Sequence, residues 1–476
     1  MHASDSPTSP DLEKKERRRP WLVMGGITLL VLGVLFALIV WYDGPAPDDS
    51  MMVVPPSMQV AASANPLSEF CRELEKSTVG GLPEVRDECR YAGLASQANR
   101  QPDTRPAAVK KDTLRRQQVE DFLQKHEPFV ATFTKFLQTN ADTWQWPEQS
   151  SIRTLASPGY LIKLNTLRYV LYMKVEMLMW QGRTQEAVTL SLDMCRLGKG
   201  LCGAKGGTAQ LLAGINMAKT GQCALEHALT AAEPSPQLLR QCITELAALE
   251  APQLEAVLLS VKTDYQDFKS RVLRKDFLSA LGDGRTPGTG EKLIGTFFFK
   301  PNQTLAELLS HELPVMEGLS KDWHAAIAAA STQESIRRKE RSRGVLVFAH
   351  PNFGGRAAAW NAAYGSVYKL EDSLGYLTRN RQIRLVLALR LHALDKGNLP
   401  PNLEELIPAY LPEVPEDAYS GKPMLWNAAK EIVYAVGNDM RDDGGSGRSD
   451  IRNSRDFIMP YWWAATPQAA GKAFGR

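Results

Sequence analysis

The chain has 476 residues, a formal net charge of +3, 44% hydrophobic residues and 23% charged residues, an ordinary globular composition for which more than one folded unit is expected. So small a net charge gives no basis for nucleic-acid binding or for steering an acidic substrate. None of the six cysteines forms a C-x-x-C pair, which removes the common zinc spacings.

Residues 1–20 form a basic tail with Lys14, Lys15, Arg17, Arg18 and Arg19. From Trp21 to Tyr42 no residue is charged, and a helix of that length reaches roughly 33 Å, which predicts a transmembrane helix. No Lys or Arg follows until Arg72, so the N-terminus is expected in the cytosol and the bulk outside it, as in a single-pass protein of a bacterial inner membrane. With no A-x-A cleavage site, an uncleaved signal anchor is expected. Residues 43–66, rich in Pro, Ala, Ser and Asp, read as a linker.

Export changes the reading of the cysteines, because disulfides persist in oxidising compartments. Cys71 and Cys89 lie symmetrically about Gly80 and Gly81, within a small cysteine hairpin and linker at 67–106. Cys223 and Cys242 lie symmetrically about the break at Pro234, and Cys195 and Cys202 flank a short GKG that could close a loop. Six cysteines allow 15 pairings, and six buried free thiols remain the alternative.

Residues 107–345 show helical periodicity, with Leu164, Leu167, Leu171, Val175 and Leu178 on one face, and Pro and Gly breaks that divide the region into helices of ordinary length. The pair around Gly182 is vaguely like a tetratricopeptide unit, but no second copy follows in register, so an irregular helical domain is expected. The basic run Arg337, Arg338, Lys339, Arg341 and Arg343 reads as a solvated helix face. Residues 346–373 read as a connection.

The C-terminal module, 374–460, opens with an apolar helix over 374–394 that stops at Gly397. A Pro-rich stretch with a short helix near 403–407 leads to a strand near 424–426, the turn NAAK and a strand over EIVYAVG, an antiparallel hairpin. After it come Asp439, Asp442, Asp443 and Asp450 among glycines. Such a loop could offer carboxylates and carbonyls to a hard cation such as calcium, although Asp and Gly also favour plain turns. Residues 461–476 are a tail. The expected fold is mainly α: a transmembrane helix, an irregular multi-helix exported domain, and a small α+β module with a short antiparallel sheet.

The order of a long helix, the Gly-x-x-Pro turn at Gly397 to Pro400, the E-D-A-Y-S-G-K-P segment and the Y-x-V-G-x-D start of the final loop resembles the globular part of the major pseudopilin of bacterial type II secretion. The resemblance covers about residues 374–458. It implies a calcium ion held by the loop after the second strand, with Asp439 matching the first loop aspartate, Asp450 the one before the closing Ile, and Asp442 and Asp443 between them. The chain departs from that family in carrying Val31 where a Glu is kept after the processing site, and in its long insertion before the module. The whole layout resembles a set of large bacterial membrane proteins that end in this module.

No nucleophile elbow, zinc helix, Walker loop or Rossmann fingerprint occurs, and the K-T-G at Lys219 to Gly221 lacks its companion motifs. Among seven scattered histidines only His311, next to Glu312, and His350, near Asn352, have neighbours suited to chemistry. The expectation is an envelope protein that is an interaction or scaffold component with a protein partner. The alternatives are an exported hydrolase with its site in the helical domain, and an atypical pseudopilin. A deep pocket with convergent carboxylates or His311 would favour the hydrolase.

Overall fold

The structure is a computed structural model and describes residues 24–38, 42–54, 65–76, 106–147, 159–204, 206–230, 234–250, 252–274, 288–289, 299–342, 350–437, 439–446 and 456–460. The described part is mainly helical, with one three-stranded antiparallel sheet.

The first helix, α1, covers residues 24–38 and has its apolar side chains exposed. This corrects the expectation of a transmembrane helix and signal anchor. Among the described residues no helix is long and apolar enough to cross a membrane. The remaining residues of the expected span lie largely outside the described ones.

Helix α2 (Pro66–Lys76) packs on α3 (Pro106–Leu137) and α4 (Gly159–Trp180). Phe70, Phe136 and Trp144 stack in series between them, with centroid separations of 4.1 and 4.2 Å. Gly182, at φ +71, turns the chain from α4 into α5 (Thr184–Gly203). Helices α5 and α6 (Thr208–Thr230) approach closely because small residues face each other: a Cβ on Gly198 would stand 2.5 Å from Ala218 Cβ and 2.7 Å from the Gly214 carbonyl. Pro236 opens α7 (Pro236–Ala248), where the Ser235 hydroxyl accepts from Leu238 N at 3.2 Å as N-cap.

Helices α8 (Leu254–Leu273), α9 (Pro301–Leu319) and α10 (Trp323–Arg341) form a second cluster. The centre is α11 (Phe353–Lys396), one continuous helix that ends at Gly397 in the left-handed conformation. It runs through both the expected connection and the expected module. From Ile383 to Leu391 every apolar residue is buried, because helices α6 and α7 cover one side and the sheet covers the other.

The sheet has the order β1 (Leu425–Asn427), β2 (Ile432–Ala435), β3 (Phe457–Pro460), all antiparallel, with Trp426 opposite Val433 and Val433 opposite Met459. Its inner residues Val433, Phe457 and Met459, with Met424 just before β1, belong to the same core as Leu239 and Leu246 of α7. Lifting the sheet away would expose them at roughly 1–3 kcal/mol each, a large fraction of a domain's usual 5–15 kcal/mol.

The five described cysteines, Cys71, Cys195, Cys202, Cys223 and Cys242, are free thiols, and Cys89 lies outside the described residues. The Cys223–Cys242 bridge is therefore not formed. Cys195 and Cys202 lie two turns apart on α5, roughly 10 Å along the axis and beyond the reach of a disulfide. Burial pushes the Cys202 and Cys242 thiols up to about 12, so both are inert as nucleophiles.

Candidate functional site

Two places gather polar residues that the sequence singles out. The first lies between α9, α10 and α11. Glu307 and His311 stand one turn apart on α9, Gln333, Glu334 and Arg337 face them from α10, and Arg356, Trp360 and Ser366 from α11. His311 Nδ1 meets Gln333 Oε1 at 3.0 Å, and because that oxygen only accepts, Nδ1 carries a proton. Nε2 stands 3.7 Å from Glu307 Oε1, an ion-pair rather than a hydrogen-bond distance.

Glu307 Oε1 accepts from Arg356 Nε at 3.2 Å and Trp360 Nε1 at 2.9 Å. Burial works against its charge, but His311, Arg356 and Trp360 together outweigh it and hold its carboxyl at about 2. Proximity to Glu307 in turn raises the His311 pKa above its ordinary value, against the opposing effect of burial. Glu312 Oε1 takes the Ser366 hydroxyl at 2.8 Å. Arg337, expected on a solvated face, is buried at 4% exposure, pairs with Glu334 and lies over the Tyr364 ring at 4.8 Å.

His311, Glu312, Gln333 and Arg337 border a cavity of about 10 Å³, room for about one water. The carboxylates and His311 do converge, as a hydrolase would require, but around a water-sized void. The cluster can store charge and hold three helices in register.

His350 and Asn352 serve the backbone. Asn352 N donates to His350 Nδ1 at 3.0 Å, and Asn352 Oδ1 accepts from Lys300 N at 2.8 Å, which ties the start of α11 to the start of α9.

The second place is the loop after β2. Asp439 Oδ1 accepts from Arg441 N at 3.2 Å and Asp442 Oδ1 from Gly444 N at 2.8 Å, so each caps its own turn. Asp443 offers its amide to Asp456, whose buried carboxylate also takes Gly445 N at 2.8 Å and Ser446 N at 3.2 Å. Lys430 Nζ donates to Gly444 O at 2.8 Å. Asp450 lies outside the described residues.

The chain matches no protein-family model, no curated protein and no solved structure.

Calcium would need six to eight oxygens, and among the described residues no three acidic, His or Cys side chains could hold a metal together. Among the described residues, the Asp439 and Asp442 carboxylates each cap their own turn and the Asp456 carboxylate gathers amides of the loop. Asp456 was not singled out from sequence; its signal was an aspartate placed immediately before the apolar run of β3. Asp417, in the E-D-A-Y-S-G-K-P segment, was missed as well. Its buried carboxylate accepts from Tyr419 N at 2.9 Å, Ser420 Oγ at 2.8 Å and Val436 N at 3.0 Å, fixing that segment to the end of β2. Burial raises its pKa, and these bonds oppose the shift.

Proposed function

We propose that the chain is a non-catalytic interaction protein whose helical body presents the C-terminal sheet module, at a fixed angle, to a protein partner. The observation that carries this reading is the double use of α11. Asn380 Nδ2 reaches Leu246 O of the body at 3.1 Å, and two residues later Gln382 Nε2 reaches Phe457 O of the sheet at 2.6 Å. A module docked through a buried, bonded helix is a rigid display. The hairpin tip at Ala428 and Lys430 then stands exposed at its outer end. The resemblance to pseudopilins, which assemble through protein contacts, points the same way.

A photo-crosslinking residue placed at Ala428 in the full chain, in its native cells, should give a discrete heavier product, and one at exposed Thr332 should not. Equal labelling at both positions, or none at Ala428, would remove the reading. The second reading, a hydrolase, is favoured by one observation, the convergence of Glu307, Glu312 and His311. It requires turnover of an ester or amide substrate by the purified chain that His311→Gln abolishes.

A further inference from the structure

Residues 42–54, of which 43–54 belong to the expected linker, lie along α8 and across the start of α9. Their only regular structure is a single 3-10 turn at Ser50–Met52, so side chains and backbone polar groups are available for recognition. At one end, Asp43 takes the first free amides of α9: Oδ2 accepts from Asn302 N at 3.1 Å and Oδ1 from Gln303 N at 3.2 Å. Lys300, the residue at the N-cap of α9, makes no side-chain capping bond, and a segment distant in sequence supplies the cap. The same two residues read the segment's backbone, with Asn302 Nδ2 donating to Gly44 O at 2.9 Å and Gln303 Nε2 to Tyr42 O at 3.1 Å.

Further along, α8 presents one face. Tyr265 Oη and Lys269 Nζ both donate to Asp49 Oδ2, at 2.9 and 2.5 Å, and Gln266 Nε2 donates to Met52 O at 2.9 Å. The Met52 side chain is fully buried in the cluster that contains Tyr265, Phe268 and Leu305. The contacts define a pattern: two aspartates six positions apart, a methionine three further on, and backbone carbonyls held between fixed donors. A buried apolar anchor flanked by charge-assisted bonds is the anatomy of peptide recognition.

We propose that the surface formed by α8 and the N-terminus of α9 is a peptide-docking site specific for an extended acidic segment with a methionine anchor, and that residues 42–54 are its resident occupant. The site fixes where the chain leading to Tyr42 leaves the body. Tethering keeps it filled, because a covalently linked segment acts at a high effective concentration. This proposal is independent of the sheet module and of the reading given above for it.

The test uses the full chain and a fluorescein-labelled synthetic peptide of residues 42–54, followed by anisotropy. In the variant Asp43→Asn/Asp49→Asn/Met52→Ser the resident segment is weakened, and the peptide should bind about tenfold or more tighter than to the wild type. Adding Lys269→Glu to that variant should abolish the gain. Equal binding to wild type and variant, or binding indifferent to Lys269→Glu, overturns the proposal. Should the triple variant fail to fold by circular dichroism, Asp43→Asn alone decides through hydrogen exchange of a peptide spanning 299–305. Faster exchange of the Asn302 and Gln303 amides with the middle of α9 unchanged supports the docking site, and unchanged exchange at those amides overturns it.

Discussion

Arg379 of α11 and Glu226 of α6 meet as a two-pronged pair, with Arg379 Nε donating to Glu226 Oε1 at 2.6 Å and Nη2 donating to Oε2. The pair is one of several along the same helix. Lys369, fully buried, reaches Asp264 at 3.1 Å, Asp372 receives Lys219 at 2.7 Å, and Arg381 and Arg384 share Glu250 at 3.0 and 2.7 Å. Each partner comes from outside α11, so the ion pairs set its rotation and depth where an all-round apolar surface could not.

For Arg379 and Glu226 a coupling of about 2 kcal/mol is expected, because the two-pronged geometry is mostly shielded from water and removing one partner leaves the other charge uncompensated. Urea denaturation of the wild type, Arg379→Ala, Glu226→Ala and the double variant measures it directly. Additive single effects would show the pair to be energetically idle.

The close approach of α5 and α6 gives a second expectation. Gly198→Ala should destabilise the chain by about 2–3 kcal/mol, since the added Cβ meets the backbone nitrogen of Ala218 at 2.6 Å and neither backbone can withdraw. Gly203→Ala on the same helix meets nothing within 4 Å and should be neutral to within about 1 kcal/mol. Thermal melts of the two variants separate packing from helix propensity; equal shifts would contradict the packing account.

How much of this was legible in the sequence depends on whether a signal is local. The stop of α11 at Gly397 and the hairpin around NAAK rest on residue types whose conformations are local, and both are present. The start of α11 was not legible, since FGGRAAAWNAAYGS has small residues where a helix usually shows a stripe; Gly354 and Gly355 are buried instead. Between Ile383 and Leu391 burial on all sides erases periodicity. The polar cluster could not be read because Glu307, Gln333 and Arg356 come from three helices. The docking of residues 42–54 depends on an Asp43 to Asn302 contact that no local pattern announces.

Stability should depend on pH through His311 and Glu307. The folded pKa of His311 is raised, so its contribution is complete below the unfolded value near 6.5 and is lost as pH rises through the folded value. Glu307 is depressed from 4.5 to about 2, so its contribution is complete above about 4.5 and is lost as pH falls toward 2. The charges facing His311 are Glu307 and Glu312 on α9, Glu334 and Arg337 on α10, and Arg356 on α11. Denaturation at pH 6 and pH 9 should show wild type losing stability with rising pH and His311→Gln losing markedly less. Parallel curves for both proteins would assign the pH dependence elsewhere.

Asp456 closes the loop after β2 by collecting the amides of Asp443, Gly445 and Ser446. Its carboxylate is buried, and an amide in its place offers one accepting oxygen where two now serve, so Asp456→Asn should destabilise the chain by about 1–3 kcal/mol. Among the described residues no three acidic, His or Cys side chains are placed to hold a metal ion together. The melting temperature of the full chain should therefore stay within about 1 °C between chelator and millimolar calcium, because a ion that does not bind the folded state does not shift its stability. A calcium-dependent rise that disappears in Asp439→Ala/Asp450→Ala would show instead that the loop rearranges around the metal and that Asp456 is displaced from its amides.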